Sequence, residues 1–434
     1  MDSEDIRRVI DALKYKAKFE IFVVTSSGES IEIEKGELKY VYTGDISTAS
    51  VRCILDKRSS VANGKIEKIN DLKDLTEQAY KLARFGSTDT QSDFSNKQPR
   101  ILSADKNGRP ISKNKNITDY IIKSAAELNR SDKIYSVNVY FSTNSTKISG
   151  ANTNGITVDR TDSSIALNSS VIAKDGNDQA SGGWSTDAVD ISKADVDENL
   201  GKASKMAVSM LKSRQAPTVR GQLLVDAVAS KLFVDMITTA MSGERILRKR
   251  SFLCGKKSEK IASECFNLTE NINVKGSAHN SPFDDEMYPS SSKELISNGI
   301  LRTYLHNIYS SEKLGEKNTG NCFHSPDGSI GTTNVLIRGH GGKAADMIPK
   351  IKRGIYLIDT GDSPNLMTGD LSAMVMAGYY IEGGEIKYPV KETMVGLNLL
   401  KAMKNISWVG DDVLSGGGFY CPSMLIDDVQ ISGK

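Results

Sequence analysis

The chain has 434 residues, enough for roughly two to four domains with ample buried core. Lys plus Arg total 56 and Asp plus Glu 54, and the resulting net charge of +2 gives no general attraction to nucleic acid. The five cysteines (Cys53, Cys254, Cys265, Cys322 and Cys421) are odd in number, widely spread and never in C-x-x-C spacing, which argues against a disulfide scaffold or zinc ribbon and for reduced thiols.

The opening MDSEDIRRVI is acidic and lacks the basic start and apolar core of a secretory signal. No run approaches 18 uncharged apolar residues, so a cytoplasmic chain with no membrane span is expected. Ser3 as N-cap and the spacing of Ile6, Val9, Ile10 and Leu13 predict a first helix. Four strands follow, FEIFVVT, ESIEIEK, LKYVYTG and SVRCILDK, separated by Gly or Ser-Gly turns. DLKDLTEQAYKLARF is then a helix. Residues 86–116 are polar and rich in Ser, Asn, Lys, Gly and Pro, and read as a long excursion or linker. ITDYIIKSAAELNR is the next helix, IYSVNVYFS, GITVDRT and SSIALNSSVIAK are strands, and ADVDENLGKASKMAVSMLKS closes this half as a long helix.

These elements predict an α+β domain over 1–216, with antiparallel sheets flanked by helices and two sub-units, 1–85 and 117–216, joined by the linker. A break near Pro217 starts a β-rich, barrel-like domain over 217–434. After one apolar helix it consists of short strands with Gly turns: ISNGILRTYLHNIY, TNVLIRG, GIYLIDTG, VMAGYYIEGGEIKYPV and MLIDDVQISG. Gly383-Gly384 marks a hairpin, and only KAADMIPKIKRG and GLNLLKAMKN interrupt as helices. The apolar residues from 354 to 400 suggest more sheet surface than one domain buries, hence an interface in the C-terminal half.

The sequence holds few groupings that could carry chemistry. No two of His279, His306, His324 and His340 share one turn of a metal-binding helix, and Cys322 with His324 forms a lone C-x-H. RGHGGKAAD departs from the phosphate-loop pattern at Ile337 and Ala344 and reads as a Gly turn feeding a helix. GWSTD and GDSPN lack the closing glycine of a nucleophile elbow. RILRKR, at 245–250, reads as a solvated basic segment. The apolar helix containing LFVDMITTAM carries no His, Cys or Glu. At 100° per residue its polar positions, Lys231, Asp235, Thr238 and Thr239, share an arc of about 100°. Lys231 and Asp235 stand four apart, as in a helical ion pair, so that no lone carboxylate is poised as a base.

From LLVDAVASKLFVDMITTAMSGERILRKRSFLCGKK onward the chain resembles the TldD/PmbA family of metalloprotease subunits, also called modulators of DNA gyrase. Further matches are SPFDDEM, ELISNGILRTYLHNIYSSEKLGEKNTGN, GIYLIDTGDSPNLMTGDLSAMVMAGYYIEGGEIKYPVKETMVGLNLL and WVGDD, with looser agreement through SVRCILDKRSSVANGKI and DLTEQAYKLARFGSTD. In the catalytic, TldD-type branch the helix carries H-E-x-x-x-H, and a later cysteine completes a zinc site. In an ungapped register the histidine positions fall on Asp235 and Ala240 and the glutamate position on Met236, so DMITTA replaces the motif. Cys421, in GGGFYCPSM, lies roughly where that branch has its cysteine ligand.

The resemblance is therefore to the PmbA (TldE) branch. It implies no catalytic, metal or cofactor-binding residue in this chain, with Asp235, Met236 and Ala240 degenerate and Cys421 a leftover ligand. It implies zinc only in a TldD-like partner subunit, an active site in a cavity enclosed by paired subunits, and unfolded peptides as substrates, peptide-antibiotic precursors and antitoxins among them. A homodimeric peptide-binding or regulatory protein is one alternative. A stand-alone peptidase using His324, Cys322 or Cys421 is the other.

Overall fold

The computed structural model describes residues 1–100, 115–323 and 329–434. Its first half is built on strands far longer than the sequence breaks suggest. β1 (Lys18–Glu34) absorbs FEIFVVT and ESIEIEK, and β2 (Glu37–Leu55) absorbs LKYVYTG and SVRCILDK. The Ser-Gly stretch and Gly44 are not turns, because Gly28 and Gly44 face each other across the β1–β2 ladder. A Cβ at Gly28 would overlap the Thr143 carbonyl oxygen of a third strand, so glycine there permits close strand approach. The true turn is Lys35-Gly36, with both φ angles positive.

With β3 (Arg58–Lys65), β4 (Ile134–Asn152), β5 (Thr157–Asp175) and β6 (Asp178–Ala188), these strands form one antiparallel sheet in the order β3-β2-β1-β4-β5-β6. The two strand groups expected as separate sub-units are joined by the β1–β4 ladder. Alternation sorts the faces. Odd-numbered β1 residues bury against helices: Phe19, Ile21 and Val23 meet α1 (Ser3–Asp11) and α2 (Ile69–Ala83), while Ile31 and Ile33 meet α3 (Lys115–Asn129) and α4 (Val196–Ser209). The N-cap of α1 is Asp2, one residue earlier than expected, in a capping box with Asp5.

The opposite face of β1 turns toward the C-terminal half, where Phe22 and Val24 pack on Phe283 and Met287. Part of the polar segment 86–116 fills the seam. Residues 101–114 lie outside the described residues, but Gln91, Phe94 and Ser95 are buried and Ser95 bonds the Met287 carbonyl. That portion is a packed excursion, the first of the two readings, rather than a linker.

β7 (Val219–Val225) opens the second half at the middle of a mixed sheet, parallel to Arg353–Asp359 and antiparallel to Met424–Ser432. A second, six-stranded sheet carries Leu268–Asn271, Asn334–Ile337 and Phe419–Cys421. The two curled sheets share one core with α5 (Ala227–Ala240), in the barrel-like arrangement expected of an α+β chain. The Gly383-Gly384 hairpin forms as read. NIY, read as strand, instead begins a helix over Ile308–Leu314, capped by Asn307 with Ser310 and ended by left-handed Gly315. Among the apolar residues between 354 and 400, Ile355, Leu357, Leu371, Val375, Ile381, Val390 and Val395 are buried core, while Met367, Met374, Met376 and Ile386 remain exposed. Among the described residues no helix is long and apolar enough to cross a membrane.

Candidate functional site

α5 starts where β7 ends because Asp226 caps it, its carboxylate accepting the Val228 N–H at 2.9 Å. The Tyr356 hydroxyl donates to the other carboxylate oxygen, and burial raises both groups' pKa. The helix is apolar on most sides. Phe233, Val234, Met236, Ile237 and Ala240 enter the core shared by both sheets.

The predicted polar stripe is only partly polar in its surroundings. Thr238 is buried, with its hydroxyl bonded to the Asp235 carbonyl at 3.0 Å. Asp235 is exposed, and its carboxyl lies above the ordinary range through desolvation by the surrounding protein. The ion pair expected between Lys231 and Asp235 does not form. Lys231 turns instead toward Asp187 at the end of β6, Cys421 and Asp226. Its ammonium lies over Gly416, where a Cβ would sit 2.7 Å from Nζ. Asp187 in turn accepts the Gly417 N–H at 2.9 Å, which ties the first sheet to the glycine turn before Cys421. Asp235 is thus the lone carboxylate that the sequence argued against.

Cys421 does come to α5, but its polar neighbours there are Ser230 and Lys231, a turn before Asp235. Burial pushes its thiol up to about 12, with Lys231 pulling the other way, so it is a neutral thiol at neutral pH. Ser230 is fully buried beside it and makes no well-formed hydrogen bond. Zinc is held by Cys, His and carboxylate donors, usually four in tetrahedral array. The side chains at 235, 236, 240 and 421 are one exposed carboxyl, a buried thioether, a buried methyl and a buried thiol, and this donor set does not fit zinc. Among the described residues no three His, Cys, Asp or Glu side chains are grouped to hold a metal ion.

The remaining candidates are scattered. His279 is exposed at the glycine turn, where a Cβ on Gly418 would lie 3.1 Å from its ring. His306 is fully buried beside Ser310 and Glu316. His340 bonds the Cys265 carbonyl at 2.8 Å. Cys322 is buried, and His324 lies outside the described residues. RGHGGKAAD is a turn leading into the short helix Ala344–Met347, and Arg248, Lys249 and Arg250 are exposed, both as read.

A buried charge cluster escaped the sequence reading. Arg52 of β2 bonds Glu20 of β1 at 2.7 Å and lies 3.3 Å from Glu286 of the C-terminal half. Burial raises Glu20 to about 7 and also raises Glu286 and the adjoining Asp284. Glu286 further accepts the Ile308 N–H at 2.7 Å. The two acids lie in SPFDDEM, but nothing in spacing alone pairs that segment with Arg52 some 230 positions away in sequence.

Residues 19–83 match the family model for the PmbA/TldA metallopeptidase domain 1, and residues 221–433 match that for the PmbA/TldA metallopeptidase C-terminal domain. A metalloprotease PmbA homolog of Buchnera aphidicola (subsp. Acyrthosiphon pisum) is 30% identical over 54% of this chain and 51% of that protein. The chain spans about half the length of the first curated relatives it matches. Among solved structures, TldE from Thermococcus kodakarensis superposes with a TM-score of 0.85 at 21% identity, covering 99% of both chains. A Thermotoga maritima protein described as a modulator of a DNA gyrase does so with 0.88 at 22%, again over 99% of both. At those identities the structures establish the shared fold. Together with the two domain models they show that the chain belongs to the TldD/PmbA family.

Proposed function

We propose that this chain is a non-catalytic, PmbA/TldE-like subunit of a cytoplasmic metalloprotease that acts on unfolded peptides. It assembles with a TldD-like catalytic subunit or pairs with a second copy of itself. The observation that carries this reading is α5. The helix keeps its cap, its burial and its contact with Cys421, yet Asp235, Met236 and Ala240 supply no imidazole, and their one carboxylate, Asp235, is exposed. The zinc that the reaction needs belongs, in this reading, to the partner subunit, where it would activate water.

The sheets support the choice of an unfolded peptide, since an extended chain can be held by addition to a strand edge. A stand-alone peptidase is less well supported, because Cys322 and Cys421 are both buried, and burial raises both thiols. The near-neutral charge gives no physical ground for direct binding to DNA. Mixing the purified chain with a TldD-type subunit tests the proposal. Chelator-sensitive cleavage of an unfolded peptide is expected from the mixture and from neither this chain nor a metal-stripped mixture. Cleavage by this chain alone would overturn it.

A further inference from the structure

The start of β1, the hairpin turn between β2 and β3 and the segment that follows α2 line an open pocket of about 660 Å³. That volume falls in the range of about 300–1,000 Å³ that ligand sites occupy. The hairpin turn is Asp56-Lys57, both at positive φ, and both residues line the space. The wall over 88–92 is anchored from the C-terminal half, where the Glu312 carboxylate accepts the Ser92 N–H and hydroxyl at 2.7 Å each.

Three lysines, Lys16, Lys18 and Lys57, line the pocket against one carboxylate, Asp56. Lys18 is paired with Asp93, whereas Lys16 and Lys57 form no ion pair among the described residues. Gln91 lines the same pocket. It is only 9% exposed, yet its amide bonds no other described residue. A buried polar group without a partner is costly, so an unpartnered amide in the wall of a positive pocket points to a ligand. The hydroxyls of Thr88 and Thr90, in the same wall, are likewise unbonded among the described residues.

Donors and acceptors together decide the ligand's class. Two unpaired ammoniums call for two negative charges. Gln91 Oε1 and the Asp56 carboxylate only accept, and a ligand made solely of anionic oxygens would leave them opposed. Phosphate and free dicarboxylates are ligands of that kind. Among the described residues no aromatic ring lines the space to stack a nucleobase. A peptide brings carboxylates and backbone N–H donors together. We propose that the pocket docks an acidic stretch of an unfolded peptide, with Lys16 and Lys57 on two of its carboxylates and Gln91, Thr88 and Thr90 on its backbone amides. The inference rests on the proposed function in taking an unfolded peptide as ligand, and adds a preference for acidic sequence set by this chain.

The test is fluorescence anisotropy of the full chain at low salt, with the peptide Gly-Ser-Glu-Glu-Ser-Gly carrying a net-neutral dye, and with its Gln-Gln counterpart. The acidic peptide should bind about tenfold more tightly than the neutral one. Lys16→Ala with Lys57→Ala should weaken it about tenfold. Lys193→Ala with Lys205→Ala removes the same charge from exposed positions beside β6, at the other edge of the sheet, and should change it by less than about twofold. Gln91→Ala should weaken both peptides by the same factor, because it acts on backbone rather than charge. Glutarate and inorganic phosphate should displace the dye-labelled peptide about tenfold less effectively than the unlabelled peptide does. No binding of the acidic peptide, equal binding of the two peptides, a loss shared by both double variants, or displacement by glutarate or phosphate as effective as by peptide would each overturn the inference. The two peptides are compared on the unaltered chain, so that result decides the matter if a variant does not fold. All of these measurements use the chain without a partner subunit. Their failure leaves the cleavage test of the functional reading standing, and failed cleavage leaves the binding result standing.

Discussion

Replacing Arg52 by methionine should destabilise the protein by about 3–5 kcal/mol at pH 8, the cost of stripping one partner from a buried ion pair. Glu20 and Glu286 are each 1% exposed, and Arg52 is the cation both share, so two carboxylates lose their counter-charge together. Against a total stability of about 5–15 kcal/mol, that is a large fraction. The loss must depend on pH. A carboxyl whose folded pKa is raised contributes stability that is fully present below its ordinary value of 4.5 and is lost as pH rises through the folded value, about 7 for Glu20. Without Arg52 the raised value climbs further, so the variant's deficit should be greatest above pH 7 and shrink toward pH 5, where both chains hold Glu20 protonated. Urea denaturation at pH 5 and pH 8 measures this, with Arg52→Met/Glu20→Gln expected to recover part of the deficit. A loss under about 1 kcal/mol, or one that does not change with pH, would refute the buried-charge argument.

Two further outcomes follow from α5. Asp226→Ala removes the N-cap and leaves the Tyr356 hydroxyl without its acceptor, and should cost about 1–2 kcal/mol; an unchanged thermal midpoint would mean the helix does not need its cap. The triple variant Asp235→His, Met236→Glu, Ala240→His should gain measurable zinc affinity, read by competition with a chromophoric chelator, with little peptidase activity because the groups that orient imidazoles are absent. Position 235 is exposed and tolerant, whereas His at the fully buried 240 should cost roughly 1–3 kcal/mol through overpacking. If the variant folds yet binds zinc no better than its parent, the register that places these residues on the lost motif is wrong.

Much of the fold was legible because helices announce themselves by apolar spacing and caps, as in Ile69–Ala83 and Val196–Ser209. Hairpin glycines with positive φ at 383 and 384 were equally plain. The long strands were misread because glycine has two uses: Gly28 and Gly44 lie within ladders where a side chain would crowd or add nothing, and only register tells them from turns. Spacing along α5 suggested a Lys231–Asp235 pair, but the stronger pull on Lys231 comes from Asp187, which is near only after β6 folds against the glycine turn. The Arg52 cluster was invisible for the same reason. Its members lie in segments brought together by tertiary packing.

The most direct measurement of the central claim is the metal content and peptidase activity of this chain purified alone. Elemental analysis after gel filtration should find no stoichiometric zinc, and an unfolded peptide should survive incubation uncut until a TldD-type subunit is added. One tightly held metal per chain, together with cleavage that a chelator abolishes, would contradict the account and assign the catalysis to residues of this chain.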